Sequence, residues 1–318
     1  MRILILGAGA TGGYFGGRLL QHGRDVTFLV RGARAATLAR DGLVLRSPAG
    51  DVTLPAPPTV RAFELNEPFD LIILSCKAYG LAAAMDDMAG AVGAQTAILP
   101  LLNGMAHLAA LDQRFGSEHV LGGRCMIAAT LDENGAIQHL NRTHALTFGE
   151  RDGTDTARLR EITATLADAG FDARASHTIV QDMWDKWVFL ATLAGITCLL
   201  RAPVGAIVAA PGGRNAIIAL FDECCAVASR DGHAPSAKTR EHAGSILTEP
   251  GSSLTASMMR DLEEGHPIEA QQIIGDMLAR AEPRKSAAAD TSPTPSVLSL
   301  VYACLKAYEA SRAKAADA

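Results

Sequence analysis

Hydrophobic residues in the first half of the chain occur in short runs that are separated by stretches of helical character. The apolar runs are Ile3–Leu6, Val26–Val30, Leu71–Ser75 and Ala97–Leu101, and the helical stretches include Gly12–His22 and Ala82–Ala89. Each run has the length of a buried parallel strand and is bounded by Gly, Pro or polar residues. Strand and helix in alternation predict a doubly wound, mostly parallel sheet, so the first half is expected to be an α/β Rossmann domain.

The pattern changes twice farther along the chain. Between about Val120 and Glu150, β-like segments flank the turn signal Asp132–Gly135, which predicts two more strands closing the sheet edge. From about Thr178 the apolar spacing is helical. Helices are predicted at Val180–Leu200, Gly213–Ser229, Ser236–Ile246, Thr255–Glu264, Ile268–Ala281 and Pro295–Lys306. We therefore expect a Rossmann domain over residues 1–175 and an all-α domain over residues 176–318, with a frayed tail after Tyr308.

Composition excludes some classes of partner. The net charge of -5 and the pI near 6.0 provide no basic field for nucleic acid or an anionic membrane. The most apolar stretch, Val188–Leu200, is too short to span a bilayer, and the first residues do not resemble a signal peptide. A cytoplasmic location is therefore expected.

The six cysteines form no CxxC pair and no zinc-ligand spacing with histidines, so we expect free thiols and no metal.

A glycine-rich motif follows the first predicted strand directly and opens a helix. It comprises Gly7, Ala8, Gly9, Ala10, Thr11 and Gly12. In a dinucleotide-binding motif the first glycine permits a tight turn, the second lets the backbone approach the pyrophosphate, and the third allows close packing of helix on strand. The diphosphate then lies at the positive end of the helix.

The end of the second strand indicates which dinucleotide binds. An acidic side chain there would accept the ribose hydroxyls of NAD, but this chain has Arg31, with Arg34 nearby and no carboxylate before Asp41. A guanidinium can bind a 2′-phosphate through paired charged hydrogen bonds, which favours NADP(H). The alternative is that Arg31 and Arg34 are solvated surface charges.

Several ordered motifs resemble those of the ketopantoate reductase (2-dehydropantoate 2-reductase) family over essentially the whole chain. They are the Gly7–Gly12 motif, Arg31, Ser75–Ala78, Leu102–Met105, Gly149–Glu150, Trp184–Lys186, and Ser257–Met258 followed by Asp261 and Glu269. The resemblance implies a Rossmann part and a helical part that together reduce a 2-oxo acid with NADPH. It also implies that Lys77, Asn103, Ala129 and Glu269 contact the cofactor, that Asn103 and Ser257 bind substrate, and that Lys186 is catalytic.

Elementary chemistry is consistent with these roles. Ligands of an open α/β sheet bind beyond the carboxyl ends of the strands, where Lys77 and Asn103 fall. Hydride addition to a ketone builds negative charge on oxygen, which an ammonium such as Lys186 can stabilise and then protonate. Structural alternatives remain for each residue. Lys186 could pair with Asp182 on a helix surface, and Ser257 could be a helix N-cap. Glu269 could be a solvated helix residue, Lys77 a loop charge over a strand end, and Asn103 part of a turn.

The chain departs from the family where substrate is selected. Many members carry asparagines at four positions that here are Leu190, Ala194, Val204 and Leu254. Loss of these amides removes donors and acceptors for a polar substrate and predicts a more apolar pocket. Thr192 and Thr197 could replace them or could only hydrogen-bond within their own helix.

Three functional hypotheses follow. The first is an NADPH-dependent reductase, acting on the CH–OH/ketone pair, that converts 2-dehydropantoate to pantoate in pantothenate biosynthesis, with Lys186 as proton donor and Glu269 positioning the lysine or the ribose. The second is a reductase or dehydrogenase of a more apolar oxo acid or imine. The third is a non-catalytic NADP(H) sensor, although such a protein needs neither Lys186 nor Glu269. A homodimer is also expected.

Overall fold

The structure is a computed structural model that describes residues 1–281 and 296–316. The chain divides into two compact units, one formed by Met1–Leu102 and His107–Val180 and the other by Asn103–Ala106 and Gln181–Ala318. The main division thus falls after Val180, a few residues beyond the boundary expected from the sequence, and a short segment near residue 104 is grouped with the second unit.

A five-stranded parallel sheet forms the centre of the first unit. Its strands are β1 (Arg2–Leu6), β2 (Asp25–Leu29), β5 (Thr59–Val60), β6 (Leu71–Leu74) and β7 (Ala97–Pro100). Their order is β5-β2-β1-β6-β7, and every neighbouring pair is parallel. The winding direction reverses between β1 and β6, which is where ligands bind in doubly wound sheets. The predicted Rossmann fold of this region is confirmed.

A second sheet in the same unit corrects the expectation for residues 120–150. It contains β3 (Leu43–Arg46), β4 (Val52–Leu54), β8 (Gly122–Leu131), β9 (Ile137–Gly149) and β10 (Asp172–Ala175). Val120, just before β8, forms a parallel bridge to Ile98 of β7, but the β8–β9 hairpin itself is not part of the parallel sheet; β9 pairs with β3 and β10. The hydrophobic pattern did not reveal β3, β4 and β10, because these short strands are only partly buried, whereas all four residues of β6 and of β7 are buried and apolar.

Helix α1 (Ala10–Gln21) lies between the two sheets and is buried from Gly12 to Leu19. A Cβ on Gly16 would lie 2.6 Å from the Phe28 ring of the parallel sheet, and one on Gly13 would lie 2.4 Å from Ile137 of the second sheet. Small residues on both faces therefore let one helix pack closely against two sheets. The other helices of this region are α2 (Gly32–Asp41), α3 (Leu81–Met88), α4 (Ala106–Phe115) and α5 (Ala157–Leu166).

The described part of the second unit is helical, as predicted. Its helices are α6 (Ile179–Leu200, whose first two residues belong to the first unit), α7 (Val204–Ala209), α8 (Gly213–Arg230), α9 (Ala237–Leu247), α10 (Ser257–Glu263), α11 (Asp276–Ala281) and α12 (Val297–Ala316). A π-helical turn, Gln271–Gly275, leads into α11. Helix α12 continues through Ala316, so the expectation of a frayed tail after Tyr308 is wrong. The predicted start of this helix at Pro295 lies outside the described residues.

Helix α6 is long and apolar enough to cross a membrane by length and composition alone. However, 67% of its most apolar window is buried within the protein, as in the central helix of a folded domain. None of the six cysteines, all of which lie within the described residues, forms a disulfide bond, and burial raises the pKa of Cys224 to about 12, which disfavours its thiolate form.

Candidate active site

The glycine-rich loop is held at the point where the parallel sheet reverses its winding. Gly7 follows β1 with φ +94° and donates its N–H to the Leu29 carbonyl at 3.2 Å. The Ser75 hydroxyl, at the end of β6, donates to the carbonyls of Leu6 and Gly7 at 3.0 and 3.3 Å. A Cβ on Gly12 would lie only 2.1 Å from the Ser75 Oγ. The first and last glycines of the motif are therefore required by local geometry.

The first turn of α1 is suited to bind a diphosphate. Gly9 occupies the N-cap position without a side-chain cap, and the first turn contains no acidic residue. The first N–H groups of a helix have no partner within the helix, and the helix dipole is positive at this end. A Cβ on Gly9 would meet nothing within 4 Å, so the space over this turn is open. These residues fit the pyrophosphate of a nicotinamide dinucleotide.

Arg34 fixes the shape of this loop. Its Nε donates to the Ala8 carbonyl at 2.7 Å, and its Nη1 donates to the Gly135 carbonyl in the β8–β9 turn at 2.8 Å. Its Nη2 is buried without a hydrogen-bond partner. Arg34, which the sequence offered as a second phosphate ligand or a surface charge, is thus a structural tie between the glycine-rich loop and the hairpin.

Arg31 is placed differently. It follows β2 at the start of α2, and its side chain is 68% exposed. Both its Nε and its Nη2 contact the same carboxylate oxygen, Asp87 Oδ2 on α3, at 2.9 and 2.7 Å. The guanidinium therefore has a protein carboxylate as its partner.

Two further predicted cofactor residues also lie in the first unit. Lys77 is half-buried and precedes a single 3-10 turn, Ala78–Gly80, just beyond the carboxyl end of β6. Ala129 lies in β8 opposite His139, immediately after a register shift in the hairpin. The Gly7–Gly12 loop, Arg31 and Lys77 thus follow β1, β2 and β6 at one edge of the sheet. Their contacts with a dinucleotide, and that of Ala129, stay predictions.

Lys186, the predicted proton donor, is half-buried on α6, and the buried residues Trp184 and Trp187 flank it in the sequence. The rings of Trp184 and Trp187 lie 4.9 Å apart, and the Arg280 guanidinium lies about 5.5 Å from each ring centre. Arg280 is also paired with Asp231 at 2.6 Å. Cation–π contacts and charged hydrogen bonds of this kind hold the rings, and therefore this turn of α6, in place.

Glu269 is buried, at 7% exposure, and lies two residues before the π-helical turn. The indole Nε1 of Trp187 donates to the Ile273 carbonyl within that turn at 2.9 Å. Isolated π-helical turns occur often at functional sites because they change the direction of neighbouring side chains. The hydrogen bond joins the residue after Lys186 to the segment that carries Glu269.

Asn103 belongs to the second unit although it follows β7. Its carbonyl accepts a hydrogen bond from Gln272 Nε2 at 3.3 Å. Gly104 has φ +79°, and a Cβ there would lie 2.8 Å from the Gln272 carbonyl. Asn103 is therefore located beside the same π-helical turn that Trp187 contacts.

Ser257 is exposed and is the first residue of α10, whose N-cap is Ala256. The alternative that Ser257 is the N-cap residue is thus wrong. Its predicted contact with substrate, like the roles of Asn103, Lys186 and Glu269, stays a prediction.

The four positions without asparagine are apolar and poorly exposed. Ala194 and Val204 are fully buried, Leu190 and Leu254 are half-buried, and the Val204 N–H donates to the Leu254 carbonyl at 3.0 Å. The two nearby threonines do not replace the amides. Thr192 and Thr197 are buried and donate to the carbonyls four residues before them, at 2.9 and 2.7 Å.

Sequence reasoning missed three contacts at this site. The sequence pattern indicates only a helix at Asp87 and assigns no role to Gln272 or to the indole of Trp187. Each contact joins residues far apart in the chain, between 56 and 169 positions, so no local pattern could reveal it.

Among residues 1–281 and 296–316, no three His, Cys, Asp or Glu side chains are grouped so that they could hold a metal ion.

The fold and the glycine-rich loop are those of a two-domain, dinucleotide-binding oxidoreductase. The family described as "Ketopantoate reductase PanE/ApbA" matches residues 3–153, and its C-terminal domain matches residues 178–309. The chain belongs to the ketopantoate reductase family.

Three known proteins illustrate the similarity. "Uncharacterized oxidoreductase YkpB" of Bacillus subtilis is 37% identical over 312 residues, which cover 98% of this chain and 100% of that protein. The crystal structure of 2-dehydropantoate 2-reductase from Geobacter metallireducens is 30% identical, with a TM-score of 0.84 over 96% of this chain and 99% of the other. The ternary structure of D-mandelate dehydrogenase with NADH and anilino(oxo)acetate shares the fold, with a TM-score of 0.85, 22% identity and coverage of 98% and 99%.

Proposed function

We propose that this protein is an NADPH-dependent reductase of 2-oxo acids and that it converts 2-dehydropantoate to pantoate in pantothenate biosynthesis. The main support for the proposal is that a hydrogen bond joins the helix that carries Lys186 to the turn that follows Glu269. Lys186 is half-buried on α6, and the adjacent Trp187 binds the π-helical turn that follows the buried Glu269. Family membership supports the same reaction class. A cytoplasmic location and a homodimer are part of the proposal.

The proposed roles divide between the two units. Gly7–Gly12, Arg31, Lys77 and Ala129 would hold the dinucleotide, which supplies a hydride when it is bound. The Lys186 ammonium would bind the keto oxygen, stabilise the charge that develops there and donate its proton, which gives the alcohol. Asn103 and Ser257 would orient the oxo acid. The Glu269 carboxylate would keep the ammonium in position.

A second substrate class is favoured by the apolar residues of α6 and its neighbours. Leu190 and Ala194 lie one and two helical turns after Lys186, and the two threonines nearby donate to their own helix. A wall of this composition offers no partner to a substrate hydroxyl, and a buried hydroxyl without a partner lowers affinity. We therefore propose a 2-oxo acid with an apolar side chain, or the corresponding imine, as the alternative substrate.

Turnover with a panel of substrates tests both proposals. The loss of absorbance of NADPH, and separately of NADH, would be followed with 2-dehydropantoate, with branched and aromatic 2-oxo acids, and with a 2-oxo acid plus ammonia. We expect the highest kcat/KM with 2-dehydropantoate under the first proposal and with an apolar acid or imine under the second. Binding of dinucleotide without turnover of any compound would refute both.

A matched pair of variants connects the result to the site. Leu190→Asn and Ala194→Asn introduce amides at the two positions on α6. If the pocket selects substrate as proposed, these variants should shift kcat/KM towards the hydroxylated acid. A shift of equal size for every acid in the panel would contradict a role in selectivity.

A further inference from the structure

We propose that Asp87 is a specificity-determining residue that lowers the preference of this protein for NADP(H) over NAD(H) by competing with the 2′-phosphate for Arg31. The inference rests on the proposed dinucleotide site in the first unit. The sequence indicated that residues at the end of β2 alone decide between NADP(H) and NAD(H). The inference adds Asp87, on α3, to the residues that decide.

The contact between Arg31 and Asp87 is specific. Two nitrogens of the guanidinium, Nε and Nη2, converge on one oxygen of Asp87 at 2.9 and 2.7 Å. Asp87 is 28% exposed, whereas Arg31 is 68% exposed. The carboxylate is therefore the more firmly placed partner, and the long arginine side chain reaches across to it.

A phosphate needs the same face of the guanidinium. A planar guanidinium binds a phosphate through two parallel N–H groups, and the pair of nitrogens that Asp87 occupies is one of the edges that can do so. A 2′-phosphate must therefore displace the carboxylate or bind beside a like charge, and both lower its affinity. NADH carries no 2′-phosphate and incurs neither cost.

The surroundings of Arg31 remain suited to an anion, so the phosphate still has a site. Arg31 is the N-cap of α2, and the first turn of that helix contains no acidic residue. A second guanidinium is close, because a Cβ on Gly32 would lie 3.7 Å from Arg61 Nη2. Asp87 therefore reduces a preference for NADP(H) that these cations create.

Arg34 is not positioned to bind the 2′-phosphate in place of Arg31. Its Nε and Nη1 are bound to the carbonyls of Ala8 and Gly135, which keeps the guanidinium at the glycine-rich loop. Among the two arginines that the sequence offered as phosphate ligands, only Arg31 is positioned to choose between a phosphate and a carboxylate.

Helix α3 supplies a matched control for the experiment. Asp86 precedes Asp87 and is paired with a different residue, Arg114, at 3.2 Å. Asp86→Asn changes the net charge by the same amount on the same helix but leaves the Arg31 contact intact. Any general effect of surface charge on a polyanionic ligand will appear in both variants.

Direct titration of NADPH and NADH into the full-length protein, by calorimetry and without substrate, tests the proposal. Asp87→Asn should tighten NADPH binding roughly three- to tenfold, the size expected for releasing one exposed ion pair and one like charge. The Kd for NADH should change less than twofold, and Asp86→Asn should change neither constant by more than twofold. Unfolding curves of each variant establish that it is folded, and Asp87→Ala serves as a second substitution.

A double-mutant cycle shows whether Asp87 affects NADPH affinity through Arg31. In an Arg31→Ala background, Asp87→Asn should change NADPH affinity less than twofold, because the shared partner is gone. Weaker or unchanged NADPH binding in Asp87→Asn would overturn the proposal, as would equal tightening for NADH or the same gain from Asp86→Asn. Because no substrate is present, failure of the reductase proposal leaves this result intact. Absence of binding by either dinucleotide would refute both.

Discussion

The indole Nε1 of Trp187 donates a 2.9 Å hydrogen bond to the main-chain carbonyl of Ile273. Trp187 follows the proposed proton donor directly, and Ile273 lies within the π-helical turn that follows Glu269. One hydrogen bond thus links α6, which carries Lys186, to the π-helical turn that begins two residues after Glu269.

Trp187→Phe keeps an aromatic ring but removes the donor. Trp187 is 1% exposed, so its loss leaves a buried carbonyl without this partner, at a cost of about 1–3 kcal/mol in the free energy of unfolding. We expect kcat to fall more than dinucleotide affinity, since Gly7–Gly12, Arg31, Lys77 and Ala129 lie in the other unit. Denaturant unfolding and steady-state kinetics measure these quantities. A parallel loss of dinucleotide affinity would contradict this assignment.

Lys186→Ala should lower kcat by at least roughly a hundredfold, the usual scale for losing a general acid, while dinucleotide affinity is nearly unchanged. Lys238→Ala, an exposed lysine on α9, serves as the control for loss of a charge. Single-turnover kinetics with saturating dinucleotide measure the effect. Unchanged turnover would remove Lys186 from the mechanism.

Gly9→Ala and Gly12→Ala should separate binding from folding. A Cβ at Gly9 meets open space and its φ of -78° suits alanine, so the variant should fold normally but place a methyl group where the pyrophosphate approaches. A Cβ at Gly12 would lie 2.1 Å from Ser75 Oγ, so that variant should be destabilised as well. Thermal unfolding and dinucleotide titration distinguish the two outcomes. Full dinucleotide affinity in Gly9→Ala would argue against a diphosphate at this turn.

Arg34→Ala and Arg31→Ala should differ in selectivity. Loss of Arg34 removes two hydrogen bonds to main-chain carbonyls, which should cost about 1–3 kcal/mol of stability and weaken NADPH and NADH alike. Loss of Arg31 should weaken NADPH much more than NADH. Arg40→Ala, also on α2 and paired with its neighbour Asp41, is the control. Equal losses for both dinucleotides in Arg31→Ala would count against a phosphate contact.

Acid should destabilise the first unit through His144. Its Nδ1 lies 2.6 Å from the Tyr14 hydroxyl, and its ring stacks on His139 with centroids 5.5 Å apart. Burial lowers the pKa of His144, the charges of His139 and Arg18 lower it further, and Asp172 opposes them. Because the unfolded chain accepts the proton more readily, stability present above about pH 6.5 is lost as the pH falls towards the folded pKa.

His144→Gln removes this titration and should flatten the dependence of the free energy of unfolding on pH below about 6.5. His242→Gln, an exposed residue on α9, is the control. Urea unfolding at a series of pH values provides the comparison. An identical slope in His144→Gln and the parent protein would show that His144 is not responsible.

The sequence was informative where a pattern is local. The strands β1, β2, β6 and β7, the glycine-rich loop and the helices α6, α8 and α9 all have periodic or positional signals and were located within a few residues, whereas the end of α12 was placed ten residues too early. The remaining strands of the second sheet, β3, β4 and β10, were missed because they are short and partly exposed and so lack the continuous apolar run that marks β6 and β7. The pairing of Arg31 with Asp87, and the tie from Arg34 to Gly135, depend on tertiary packing that propensity does not encode.

The tie between Arg34 and the Gly135 carbonyl spans 101 positions in the chain. A nascent or truncated polypeptide that ends before the β8–β9 turn would contain the whole Gly7–Gly12 motif and still lack the anchor that shapes it. High-affinity binding of a dinucleotide is therefore expected only after the β8–β9 turn has been synthesised. The first unit would then bind its cofactor only late in its own synthesis.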